Sequence, residues 1–120
     1  PAYNEEGTIK QVIESIPRRI NNHKVEVLVI NDGSSDRTAA VSTSAGADYV
    51  LSNSSNCGLA YSFQRGMNKA LELEADIIVN TDADNQYNQK EIEKLRKRNE
   101  HSTRCSRRHH GDPCCHNVVC

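Results

Sequence analysis

Tryptophan is absent from this 120-residue chain, phenylalanine and methionine occur once each, and hydrophobic residues make up only 36%. Large aromatic side chains are the ones that bury most area, so any core must be built from aliphatic residues, and marginal stability is expected. Long apolar runs are missing too. Nothing approaches the ~20 residues of a membrane span. The polar, acidic start Pro1-Ala2-Tyr3-Asn4-Glu5-Glu6 is not a signal peptide, which needs a basic and then an apolar beginning. The default compartment is therefore the cytosol. An excess of charge of one sign is also lacking, because 15 Lys and Arg stand against 16 Asp and Glu for a net charge of -1. No general attraction to nucleic acid or to an anionic membrane follows.

With 120 residues and a mean hydropathy of -0.72, the chain has the length for one modest domain, burying roughly two thirds of its unfolded surface. Its composition changes near residue 100. Residues 101–120 hold four of the five cysteines (Cys105, Cys114, Cys115, Cys120) and four of the five histidines (His101, His109, His110, His116), with almost no apolar residues. Basic side chains also dominate there, with Arg104, Arg107 and Arg108 against Asp112. A domain over 1–100 and a separate tail over 101–120 are expected. Thiolate and imidazole are the donors zinc prefers, but no CxxC pair is present, and the adjacent Cys114 and Cys115 suit one tetrahedral ion poorly. Zinc ligation and disulfides stay open as alternatives; an unstructured or out-of-frame tail is the expectation.

Within the first hundred residues, Ile9, Val12, Ile13, Ile16 and Ile20 recur at helical spacing, with Asn4 or Thr8 to cap and Glu5 and Glu6 near the positive end. This helix runs toward residue 20. Pro17 ends or bends it near Ser15 to Arg18. Val25 to Ile30 reads as a strand interrupted only by Glu26. Arg37 to Ser44 reads as a short helix capped by Asp36 and closed by Gly46. Asp48 to Leu51 is a second strand. Ala60, Phe63, Met67, Ala70 and Leu71 give a further helix one apolar face, with Gly66 suited to close packing. Ile77 to Thr81 is the last strand, and Ile92 with Leu95 mark a final helix. Strands alternating with helices argue for an α/β fold with a parallel sheet flanked by helices.

Carboxylates gather where two of these strands end. Asp82-Ala83-Asp84 follows the run Ile77 to Thr81, and Asn31-Asp32-Gly33-Ser34-Ser35-Asp36 follows Val25 to Ile30. Such pairs hold a divalent cation that stabilises the charge left on a departing diphosphate. A calcium loop fits less well: Asp82, Asp84, Gln86 and Glu93 fall at positions 1, 3, 5 and 12, but Tyr87 occupies the glycine position. As structural residues, Asp32 and Asp36 would be turn and cap residues, and the DxD pair a loop cap.

Four segments in order, PAYNEEG opening a helix, VINDGSSDRT after a strand, Asn56-Cys57-Gly58 opening a helix, and IIVNTDADNQY, resemble family 2 glycosyltransferases over about residues 1–98. Within that family the chain looks most like the polyprenyl- or dolichyl-phosphate sugar transferases. The resemblance implies a Rossmann-like glycosyltransferase-A (GT-A) half domain that binds a UDP- or GDP-linked sugar at the carboxyl ends of its strands. It further implies an inverting transfer to a polyprenyl-phosphate or glycan acceptor, with no nucleic acid involved. Pro1, Ala2 and Tyr3 then line the base pocket, Glu5 contacts the ribose, Asp32 the nucleoside, and Asp82 and Ala83 the diphosphate. Asp82, Asp84 and Gln86 would hold Mg²⁺ or Mn²⁺, with Asp84 the direct ligand; hard oxygen donors suit those ions. Cys57 stands where the family commonly has Arg or Lys, which weakens the diphosphate contact. The family's first strand leads directly into PAYN and lies mid-sheet in a 3-2-1-4 order. Since the sequence starts at Pro1, that strand is expected to be missing, leaving a central gap and a fragment of a longer protein. No catalytic base is assigned, and any membrane contact, at a cytoplasmic face, belongs to parts outside this chain. The competing readings are an inactive truncated product, a nucleotidyltransferase on a similar sheet, and a zinc-binding tail module.

Overall fold

A computed structural model describes residues 1–20 and 23–83 and the backbone of 116–119. The first helix, α1 (Ile9–Ser15), stops where Pro17 forbids a helical residue before it: Ile16 is extended, with ψ 123. Ile20 is therefore not on the helix stripe. It lies in β1 (Arg19–Ile20), antiparallel to the start of the next strand, and is still only 5% exposed.

The strand β2 (His23–Asn31) is the axis of the fold. Its side chains alternate, and both faces are covered. Val25, Val27 and Val29 join Ile9, Ile13 and Ile16 of the α1 segment, with Val41 and Ala45 of α2 (Thr38–Ser44) and its C-cap packed alongside. Leu28 and Ile30 point the other way, to Ala70 of α3 (Leu59–Glu72). Burial on both faces explains why this strand reads as a continuous apolar run and not an alternating one. Glu26, 6% exposed in that run, is neutralised by Lys24, whose Nζ donates to its Oε1 at 2.6 Å.

β3 (Tyr49–Ser52) pairs in parallel with Leu28 to Asn31, and β4 (Ile77–Val79) is the last strand before the Asp82 turn. Between β2 and β4 lies β5 (His116–Val119), parallel to both. The backbone settles which edge it uses. Val25 donates to Arg18, Val27 accepts from Asp48 and Asn31 accepts from Asn53, so the odd-numbered groups of β2 face β1 and β3. β5 therefore takes the opposite edge. Ala2 bonds Ile30 and Asp32 on that same edge, continuing its line.

Three expectations are corrected here. The sheet is mixed, because β1 is antiparallel. The central position, expected to be a gap, is occupied by β5, residues 116–119. The physical reason is that β5 pairs the facing edges of β2 and β4, and the β-branched pair Val118-Val119 suits a strand. The third concerns α3, which packs through its small residues Ser62, Gly66 and Ala70, not through the large ones. Phe63 and Leu71 are 43% and 59% exposed, while Gly66 is buried as close packing requires. The helix expected around Ile92 and Leu95 lies outside the described residues.

Truncating Ile13, 1% exposed in the α1 cluster, to Ala is expected to cost about 2–5 kcal/mol in urea denaturation. Leu71→Ala, on the open side of α3, should change stability by less than about 0.5 kcal/mol although it belongs to the same helical apolar pattern.

Candidate functional site

The row Val27, Val119, Val79 runs straight across the sheet. Asp32 lies five positions beyond it in the strand direction and Asp82 three, while Ala2 is level with Asn31. All of these therefore sit at one end, the carboxyl end of the strands. Loops there are held by two polar interlocks.

The first joins PAYN to the turn after β2. Asn4 adopts a left-handed backbone (φ 53), which Asn tolerates better than most residues. Its amide donates to Ser34 Oγ at 2.9 Å, and its Oδ1 accepts from the Ser35 amide at 2.9 Å. Glu5 and Glu6 follow suit: their amides donate to Thr38 Oγ1 (2.9 Å) and Asp36 Oδ2 (3.2 Å), and Glu6 Oε2 accepts from the Arg37 amide at 3.0 Å. The Glu5 carboxylate, half-buried, accepts from Thr8 Oγ1 at 2.6 Å. Tyr3 is left 47% exposed at the rim, whereas Ala2, 4% exposed, is packed beneath it. Asp36 is a turn residue. Its Oδ1 accepts from the Thr38 amide at 2.9 Å, and the Thr38 hydroxyl is the main cause of its lowered pKa.

The second interlock is centred on Asp32, which is 4% exposed. Its Oδ1 accepts from Asn53 Nδ2 (2.6 Å) and the Cys57 amide (2.9 Å), and its Oδ2 from the Gly58 amide (2.9 Å). Burial opposes its ionisation, but the hydrogen bonds from Cys57, Asn53, Ser62 and Gly58 outweigh that and hold its carboxyl below the usual carboxylate range. Gly33 lets the same loop close down. With φ 69, a Cβ there would lie 2.2 Å from the Ser55 carbonyl carbon and 2.5 Å from the Asn56 nitrogen. The close approach that this glycine permits is made by protein backbone. Gly58 (φ 89) opens α3, and the Cys57 thiol is exposed.

On the third side, Asp82 is exposed and Ala83 is buried at 8%. Thr81, Asp82 and Ala83 line a cavity together with Pro1 and the α1 face, which brings the β4 turn against the PAYN segment. A second cavity, of about 190 Å³, lies between Pro1, Ile30, α3 and Asn80. It is smaller than the about 300 Å³ at which ligand pockets begin. Asp84 and Gln86 lie outside the described residues. Among those described, no three His, Cys, Asp or Glu side chains gather around a metal position. Sequence reasoning missed Asn4 as a bridge and Asn53 altogether. The one signal for Asn53 was a polar residue closing a strand, as Asn31 and Asp32 close another.

The family model for glycosyl transferase family 2 matches residues 1–112. An uncharacterized protein of Methanocaldococcus jannaschii is 32% identical over 95 residues, spanning 79% of this chain and 37% of that protein. A UDP-N-acetylglucosamine–dolichyl-phosphate N-acetylglucosaminyltransferase of Methanococcus voltae is 30% identical over 112 residues, spanning 79% of this chain and 43% of its own length. The chain thus spans well under half the length of these relatives. No solved structure matches it.

Gly33→Ala combines a strained φ with backbone overlap and is expected to cost at least about 2 kcal/mol by thermal or urea unfolding. The depressed pKa of Asp32 sets a pH dependence. Its stabilisation is complete above the ordinary carboxylate pKa of about 3.9 and is lost as pH falls through the lower folded value. Urea midpoints measured from pH 7 to pH 2 should fall at the acid end, and by less in Asp32→Asn, whose midpoint is already lower at pH 7.

Proposed function

This chain belongs to glycosyl transferase family 2, and we propose that its described part is the donor side of an inverting transferase, binding a UDP- or GDP-linked sugar with Mg²⁺ or Mn²⁺. The observation that carries this reading is the gathering of the PAYN segment, the Asp32 turn and the Asp82 turn at one end of the sheet. Ligands of open α/β sheets bind in that position.

In this reading Pro1, Ala2 and Tyr3 form the base wall, with the exposed Tyr3 ring available for stacking. Glu5 faces the ribose from a turn made rigid by Ser34, Ser35 and Thr38. Asp32 acts from below the surface: its carboxylate is committed to Cys57 and Gly58, so its part in nucleoside binding is to hold the 53–58 loop at the rim. Asp82 and Ala83 reach the diphosphate. Asp82 is an exposed, hard oxygen donor of the kind Mg²⁺ and Mn²⁺ take, and with Asp84 and Gln86 it would complete the metal's protein ligands. When bound, the cation would offset the charge developing on the diphosphate leaving group.

The Methanococcus relative's name couples a UDP-sugar to dolichyl phosphate, and we extend that pairing to this chain: a polyprenyl phosphate is the acceptor. Its phosphate oxygen is already anionic, so proton removal by a general base contributes little. Among the described residues no helix is long and apolar enough to cross a membrane, so the lipid's chain would be met by other parts of the protein, at the cytoplasmic face.

Isothermal titration of the chain with UDP and GDP, with and without Mn²⁺, is expected to show Mn²⁺-dependent binding of one nucleotide, weakened by at least about tenfold in Asp82→Asn. A folded sample that gives no heat with either nucleotide would sink the proposal.

A further inference from the structure

The loop that Asp32 holds has a second anchor behind it, on α3. Asn53, 8% exposed, sits between two groups of opposite hydrogen-bonding capacity. Its Nδ2 donates to Asp32 Oδ1 at 2.6 Å and to the fully buried Ser62 Oγ at 2.9 Å, so both amide protons are used. Its Oδ1 accepts from Arg65 Nη1, and the same nitrogen donates to the Ser52 carbonyl at 2.8 Å. An ionised carboxylate only accepts and a guanidinium only donates, so one orientation of the Asn53 amide satisfies both neighbours and the reverse satisfies neither. The bonds therefore run in one direction, from Arg65 through Asn53 to Asp32. Asp32 in turn accepts from the Cys57 and Gly58 amides. Arg65 lies seven residues after Gly58, about 10 Å along the axis of α3, so its effect on that end of the loop passes through Asn53 and Asp32. Without the guanidinium, Asn53 Oδ1 loses its donor in a nearly dry place, where an unpaired carbonyl is costly. Turning the amide outward to water relieves that cost and takes Nδ2 off Asp32.

We propose that Arg65 is a positioning residue of the donor site: acting through Asn53 and Asp32, it fixes where Cys57 and Gly58 stand, and with them the affinity for the nucleotide. A cation on the flank of α3 then tunes a site that it does not touch. This rests on the donor-site reading above, which makes the 53–58 loop part of the rim, and the two are separable by experiment.

NMR on the full chain reads the network without any nucleotide. The two Nδ2 protons of Asn53 are expected to exchange with water at least about tenfold more slowly than those of free asparagine. Exchange as fast as in free asparagine would overturn the proposal. In Arg65→Met, which keeps a good helix former in α3, exchange at Asn53 Nδ2 should quicken by about tenfold and the Cys57 and Gly58 amide resonances should shift, while those of Val27 and Leu28 stay in place. The Mn²⁺-dependent affinity for UDP or GDP should fall by about tenfold in that variant and stay within about threefold in Arg65→Lys, which keeps a charged donor. A folded Arg65→Met chain with undiminished affinity overturns the proposal. So does affinity lost with the Asn53 and loop signals unmoved, which would mean that Arg65 meets the nucleotide directly. Should Arg65→Met not fold, Arg65→Gln, shorter and uncharged, takes its place: affinity reduced by at least about threefold supports the proposal and unchanged affinity overturns it. A wild-type chain that binds neither nucleotide counts against the donor-site reading only, and Arg65 is then judged by the Asn53, Cys57 and Gly58 signals.

Discussion

A single buried carboxylate, that of Asp32, organises the carboxyl end of this sheet. It accepts from the side chain of Asn53 and from two consecutive main-chain amides, Cys57 and Gly58, so it fixes the loop between β3 and α3 by one side chain at its start and by backbone at its end. A buried amide or carboxylate left unpaired costs more than a formed bond returns, so the loop has no equivalent alternative position. Gly33 is the geometric partner of this bond network, since any side chain there would collide with Ser55 and Asn56. The same turn continues into Ser34–Thr38, which holds Asn4, Glu5 and Glu6. Three segments distant in sequence are thereby fixed relative to one another through polar contacts near the surface.

Those contacts only matter because the layer beneath them is rigid. β2 is buried on both faces, with α1 and α2 on one side and α3 on the other, and its two edges are taken by β1 and β3 and by β5 and Ala2. The shortage of aromatic residues is met in two ways: isoleucine and valine fill the α1 side, and small residues let α3 lie close to the sheet on the other. The large apolar residues of α3 are left facing outward, Leu59 and Leu71 most of all.

Membership in glycosyl transferase family 2 gives this geometry its chemical sense, although the chain spans well under half of the relatives it matches. One departure stands out within the site. Cys57 occupies a position where the sequence resemblance led us to expect a base, and its amide still serves Asp32. The interlock does not depend on the side chain at this position, because it uses a main-chain donor that any residue but proline provides.

How much of this was legible in the sequence follows from the range of the forces involved. Periodicity located α1, β2, α2, β3, α3 and β4 to within a few residues, Pro17 marked the end of α1, and the motif order marked the carboxyl-end loops, because each of these is set by local backbone geometry and by which residues are apolar. Three features were not legible. Ile20 was placed on a helix and lies on β1; α3 was given its large apolar face and buries its small one; residues 116–119 were not read as a strand and form β5. In each case the deciding quantity is a partner far along the chain: a strand edge needing hydrogen bonds, or a sheet surface close enough to admit only Ser62, Gly66 and Ala70. Residue types and spacing by themselves determined an α/β fold with acidic strand ends. Only the tertiary structure decided that Asp32 is spent on holding a loop and that the central strand comes from residues 116–119, because unsatisfied backbone groups and packing distance exist only once the layers meet.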